Sequence, residues 1–175
     1  AAAFTTGVWG TDATPSPLWD AASSTPIADV EVAKNTVLTN TGYVPNTVIM
    51  SYKVMSALMD NSDIVDRIKY TSTDSVNEEL LARLFGVDRV LVMAGTYNTA
   101  AEGATASYSQ IGDKDVLVAY VAPAAGLMVP SAGYTMLWNG VSQGFGTSTS
   151  VSRYRMDTMR ADRIEIEAAF DFKIV

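Results

Sequence analysis

With no histidine and no cysteine among its 175 residues, this chain has only carboxylates, hydroxyls and cations with which to do chemistry. That composition excludes Ser-His-Asp and Cys-His catalysis, a disulfide framework, nearly every zinc site and the usual general base near neutral pH. Two groups of acids remain. Asp60, Asp63 and Asp66 fall in the run Asp-Asn-Ser-Asp-Ile-Val-Asp. A calcium loop needs a glycine at its sharp turn and a distal glutamate, and both are missing, so the run reads as helix capping. Glu165 and Glu167 alternate with apolar residues and are flanked by Arg163, Asp171 and Lys173. Alternating charge of this kind reads as the solvated face of a strand. A carboxylate-dependent hydrolase would need two of these acids to converge in a cleft with raised pKa, and it stands as the enzymatic alternative.

The other candidates are weaker. Arg153, Arg155, Arg160 and Arg163 gather near the start of the last strand, with Asp157, Asp162 and Glu165 interleaved. The interleaving predicts ion pairs that bridge subunits rather than a nucleic-acid patch. The glycine-rich runs 95–103 and 140–146 lack the spacing and the lysine of a phosphate loop. The run 126–133 lacks a nucleophile elbow. Met55, Met59 and Met128 read as core filler. No catalytic residue, no cofactor-binding residue, no cofactor and no metal ligand is assigned.

The elements that would hold such residues are dominated by the C-terminal run 163–175. Ile164, Ile166, Ala168, Phe170, Phe172 and Ile174 occupy every even position, and the odd positions are mostly charged. Period two is a strand with one dry and one wet face. At about 3.3 Å per residue the run reaches roughly 40 Å, the whole diameter of a globule of this size. It therefore predicts an extended plate, and its unbroken pattern at Val175 predicts a piece of a longer protein, as does a start at Ala1 without methionine.

Upstream, residues 1–24 read as a low-charge arm pinned by Trp9 and Trp19. Thr25-Pro26 opens a helix with the stripe Ile27, Val30, Ala33, Val37 and Leu38, closed by Gly42. Val48-Ile49-Met50 is a short strand, and Ser51 starts a helix carrying Val54, Met55, Leu58 and Met59. Ile64, Val65 and Ile68 make a further helical turn. Ser75 and Glu78 form a capping box for a helix ending at Gly86. Strands follow at 90–93, at 116–121 (apolar on both faces, as a central strand would be), at 134–138 and at 151–155. The segment 95–109 reads as a surface loop and 156–162 as a charged bend. The fold class is α+β: a mixed β-sheet flanked by helices, plus a long amphipathic C-terminal strand. The domain boundaries expected are an arm at 1–24, an α/β unit at 25–150 and a strand segment at 151–175.

A net charge of −7 argues against a nucleic-acid surface, and no apolar run approaches the roughly 20 residues of a membrane span. The first residues lack the basic region and apolar core of a signal peptide, so none is expected there. Neither a specific nucleic-acid site nor a membrane partner is expected.

In their order, several packing motifs resemble the C-terminal portion of tailed-bacteriophage and prophage major capsid proteins, the Hong Kong 97 fold. They are Pro26-Ile27-Ala28-Asp29-Val30, the run from Thr41-Gly42-Tyr43 to Met50, Asp63 to Tyr70, Leu81 to Val87, Pro130 to Tyr134, and Arg160 to Glu165 running into the last strand. The resemblance implies an axial-domain-like unit and part of a peripheral-domain sheet. It also implies that the family's N-terminal arm, extended loop and spine helix precede this region. The implied function is that of a non-enzymatic shell subunit whose partner is itself, in pentamers and hexamers enclosing the genome, with other phage head proteins as further partners. Its place would be the virion, and the host cytoplasm during assembly. An encapsulin-like compartment shell would share the fold, and a surface-binding module is the alternative suggested by the Thr/Ser-rich arm and loops.

Overall fold

A computed structural model of the chain describes residues 13–69, 76–126, 128–138 and 149–174. Its elements are α1 (Pro26–Thr41), β1 (Thr47–Ser51), α2 (Tyr52–Met59), α3 (Ser62–Ile68), α4 (Glu78–Phe85), β2 (Arg89–Met93), β3 (Thr96–Asn98), β4 (Tyr108–Gln110), β5 (Val116–Ala119), β6 (Gly133–Leu137), β7 (Thr149–Met156), β8 (Ala161–Ala168) and β9 (Phe170–Ile174). Contacts divide the described residues into two units, with the break after Val121.

The first unit is built on a mixed three-stranded sheet in the order β2-β1-β5, with β2 parallel and β5 antiparallel to β1. Register puts Val48, Met50, Val90, Val92, Val116 and Val118 on one face. Against that face pack Val30 of α1, Val54, Met55 and Leu58 of α2, Ile64 and Ile68 of α3, and Leu81, Ala82 and Phe85 of α4. The helices start and stop where local chemistry says they should. Pro26 stands in the first turn of α1, and Gly42, at φ 76°, ends it with its N–H on the Leu38 carbonyl. Ser51 ends β1 and caps α2: its hydroxyl accepts from the Val54 N–H and donates to the Asp113 carbonyl at 2.7 Å.

Two asparagines join the pieces. The Asn46 amide donates to the Val121 carbonyl at 2.8 Å, while its Oδ1 accepts from the Val121 N–H at 2.9 Å and the Thr47 hydroxyl. Its backbone carbonyl also accepts the N–H groups of Asp88 and Arg89, so one residue ties the strand order together. Asn61, buried, caps α3 on Asp63 and donates to the Trp19 carbonyl and the Ser24 hydroxyl. The Trp19 indole donates to Asp29 at 2.7 Å. The expected Trp19 anchor is thus present, whereas Trp9 lies outside the described residues.

Several expectations need correction. The strand at 116–121 is an edge of the described sheet, and β1 is the central strand. The segment 95–109 contains the β3–β4 hairpin. Asn77 caps α4 through the Leu80 N–H, and Ser75 lies outside the described residues. Leu38 and Met59, placed on buried stripes, are exposed, and so is Met128.

The second unit contains the C-terminal run, which is two strands rather than one. β8 pairs antiparallel with β7, and β9 pairs antiparallel with β6. The pairing partner changes at Ala169, while apolar residues keep the even positions of the sequence on both sides of it.

Candidate assembly interface

Among the described residues the reactive groups do not converge, and the feature that matters is the surface the strands leave open. The acids weighed as catalytic stay apart. Asp63 lies in the first turn of α3 and pairs with Arg67 at 3.6 Å, Asp60 comes directly after α2, and Glu165 and Glu167 lie on β8. Among the described residues no three acids gather to hold a metal ion. No described helix is long and apolar enough to cross a membrane.

The β6–β9 and β7–β8 ladders are different. Leu137 faces Phe170 across the ladder, Thr135 faces Phe172, and Gly133 faces Ile174. On the other pair Val151 faces Ile166 and Arg153 faces Ile164. Side chains directly opposite share a face. Leu137 therefore shares a side with Phe170 and Phe172 on one ladder, and Val151 shares a side with Ile164 and Ile166 on the other. These are the dry faces that the sequence pattern demands. They are not dry in the single chain: Leu137, Val151, Ile164, Ile166, Phe170 and Phe172 are 54 to 71% exposed. Phe170 and Phe172 touch edge to face at 5.4 Å, so the strip is already organised.

Covering those six side chains would contribute roughly 6–11 kcal/mol, taking about 1.5–3 kcal/mol for burying a fully exposed residue and scaling by the exposed fraction. Two-stranded ribbons are marginal alone in water, and exposed apolar patches of this kind mark interfaces.

The opposite face is polar and internally paired. The Tyr154 hydroxyl donates to Glu165 at 3.0 Å, Arg163 reaches Glu165 at 2.6 Å, and the Arg163 guanidinium lies 5.8 Å from the Tyr154 ring centre. Desolvation, then the bond to Glu165, raises the Tyr154 pKa above its ordinary value of 10.0. On the Ile164 side, at the hairpin end, Arg153 binds Asp162 at 2.7 Å and Arg155, directly across from Asp162, binds the same carboxylate at 3.3 Å. Of the four arginines expected to bridge subunits, Arg153, Arg155 and Arg163 pair within their own hairpin, because β7 and β8 set them beside Asp162 and Glu165. Sequence reading could not see this, since it depends on a register set by the turn at 157–160.

The ladders also contain an irregularity. The Trp138 N–H donates to the Ala169 carbonyl at 3.1 Å, extending the β6–β9 register by one residue, and Thr149 then pairs with Ala168. Trp138 and Thr149, well apart in the chain, therefore meet two consecutive positions of the partner strand. Met136, Leu137, Trp138 and residues 168–171 line a shallow open groove at this point. Nothing in the sequence pattern pointed to this groove, because the alternation runs through it unchanged.

No protein-family profile matches the chain. It is 26% identical, over 125 residues, to the major capsid protein of Burkholderia phage BcepMu, an alignment covering 69% of this chain and 39% of that protein. A solved structure of a phage-related protein from Bordetella bronchiseptica RB50 superposes with a TM-score of 0.76 at 26% identity, covering 92% of this chain and 51% of that one. The chain thus spans about two-fifths and about half of the lengths of these two proteins. By sequence and by fold, the resemblance to phage major capsid proteins carried by the ordered motifs is borne out, and the chain is similar to a capsid structural protein.

Proposed function

We propose that this chain is the C-terminal portion of a major capsid subunit of a tailed phage or prophage, which self-assembles into pentamers and hexamers around the genome. The observation that carries the reading is the open apolar strip on β7, β8, β6 and β9, which is patterned for burial and left uncovered by its own chain. The capsid relative supports the same reading. In this proposal the unit from Thr25 onward lies around the capsomer axes as an axial domain, with the arm at 1–24 before it. Its expected limit at residue 150 is later than the contact break after Val121. The segment 151–175 contributes to a peripheral sheet. Identical subunits repeating one set of contacts close rings of five and six. The subunit works in the virion, after assembly in the host cytoplasm with other head proteins, and does no covalent chemistry.

Electron microscopy and sedimentation of the full-length protein test this. Closed particles or ring-shaped capsomers are expected. A full-length protein that stays monomeric at high concentration overturns it.

A further inference from the structure

The turn that closes the β7–β8 hairpin presents a cation and an apolar side chain together. The Met159 N–H donates to the Met156 carbonyl at 3.1 Å and the Arg160 N–H to the Asp157 carbonyl at 3.3 Å, so the turn is held in shape. Arg160 sits at φ 51°, a left-handed conformation uncommon for a residue with a β-carbon. Arg153, Arg155 and Arg163 are engaged with Asp157, Asp162 and Glu165. Among the described residues the exposed Arg160 has no ion-pair partner, and Met159 beside it is 72% exposed.

Charge is divided unequally along the chain. Residues 122–175 are neutral, with five acids and five bases, so the whole net charge of −7 belongs to residues 1–121. There Met59 and Val65, 41% and 40% exposed, adjoin Asp60 and Asp66, two exposed acids without an ion pair among the described residues. Asp63, between them in the chain, is held by Arg67. The exposed Tyr52, by contrast, adjoins a cation, Lys53.

We propose that the β7–β8 tip of one copy docks on the α2–α3 elbow of a second copy, with Arg160 set against Asp60 and Asp66 and Met159 against Met59 and Val65. This rests on the shell reading and specifies one of its contacts. It narrows the bridging role expected of four arginines to one. The occupant is a second copy because every chain carries both halves and the halves are complementary: an apolar side chain beside a free cation, and apolar side chains beside free acids. Like charge on the first units opposes self-association, and a cation carried out on the neutral unit offsets it at the contact. Tip and elbow are different patches, so the contact is head-to-tail and builds a ring where its rotation closes.

Sedimentation of the full-length protein at low salt tests the pairing by charge exchange. Arg160→Glu sets like charges against each other and should weaken self-association by about tenfold or more. Asp60→Lys combined with Asp66→Lys should weaken it similarly. All three changes together should bring association back to within about threefold of the unaltered protein. Arg160→Gly suits the left-handed backbone, so it should melt no lower while associating more weakly, which separates a lost contact from a lost fold. Unchanged association of Arg160→Glu, or a loss that the two lysines do not restore, overturns this docking and leaves the shell reading standing. An unaltered protein that does not associate at all removes both.

Discussion

The two units of this protein use the same apolar residue types to opposite ends. In the first, Leu58, Ile64 and Leu81 are fully buried, closed in by helices from the same stretch of chain. In the second, Ile164, Ile166, Phe170 and Phe172 are aligned with equal regularity and stand open. The difference lies in the elements adjoining each strand. β1 runs directly into α2 and β2 is preceded by α4, so each strand brings its own cover. Among the described residues no helix adjoins β6 to β9. A sheet without a local cover must find one elsewhere, and in the shell reading that need is the function.

The strongest way to break this contrast is to truncate one residue in each unit. Leu81→Ala should cost about 2–5 kcal/mol, because the surrounding core closes only partly over the void. Ile166→Ala should shift folding of the isolated chain by no more than about 0.5 kcal/mol, because an exposed side chain has little burial to lose, while weakening self-association. Urea melts and sedimentation of both variants decide it. A large folding loss from Ile166→Ala would mean that the strip is covered within the chain.

A smaller effect tests whether polar groups hold the first unit's strand order. Asn46→Ala removes three side-chain hydrogen bonds and strands the Val121 N–H and carbonyl. The expected loss is about 1–3 kcal/mol in a urea melt. Lys34→Met is expected to cost less, about 1 kcal/mol, since it removes bonds to the carbonyls of Phe85 and Gly86 at the end of α4, where water can substitute. No loss for Asn46→Ala would assign the strand order to apolar packing alone.

Legibility in the sequence divides along the same line. Helices whose limits are set by nearby residues could be read directly, as at Pro26, Gly42, Ser51 and Gly86. The dry face of the last strands was legible too, because period two is a local signal. The hidden features depend on partners distant in the chain. The switch at Ala169 leaves the alternation intact, so only pairing reveals it. The short β3–β4 hairpin has three residues a side and no periodicity to detect. Asn46 looked like a turn residue, and its second role needs Val121, 75 positions away. Met128 was misjudged because composition says what a side chain prefers, whereas backbone conformation says where it is sent.

The smallest effect separates the units by pH. Tyr154 keeps its proton more tightly when folded, since desolvation and then the hydrogen bond to the Glu165 carboxylate disfavour the phenolate. A folded pKa raised above the unfolded one stabilises the fold fully below the unfolded value of about 10 and loses that contribution as pH rises through the folded value. The second unit should therefore loosen first in alkali, with Tyr154→Phe removing that pH dependence. In the first unit Asp113 is lowered, mainly by its hydrogen bond to Lys53 and then by the charge of that ammonium. Its contribution is present above the ordinary carboxylate value and fades as pH falls through the lowered one, so acid should act there. Amide hydrogen exchange, corrected for intrinsic rates, reads both units at once. Exchange that rises equally in both units above a pH of about 10 would show that the ribbon is not a separately stabilised region. It would also remove the basis for treating the ribbon's open face as awaiting a partner.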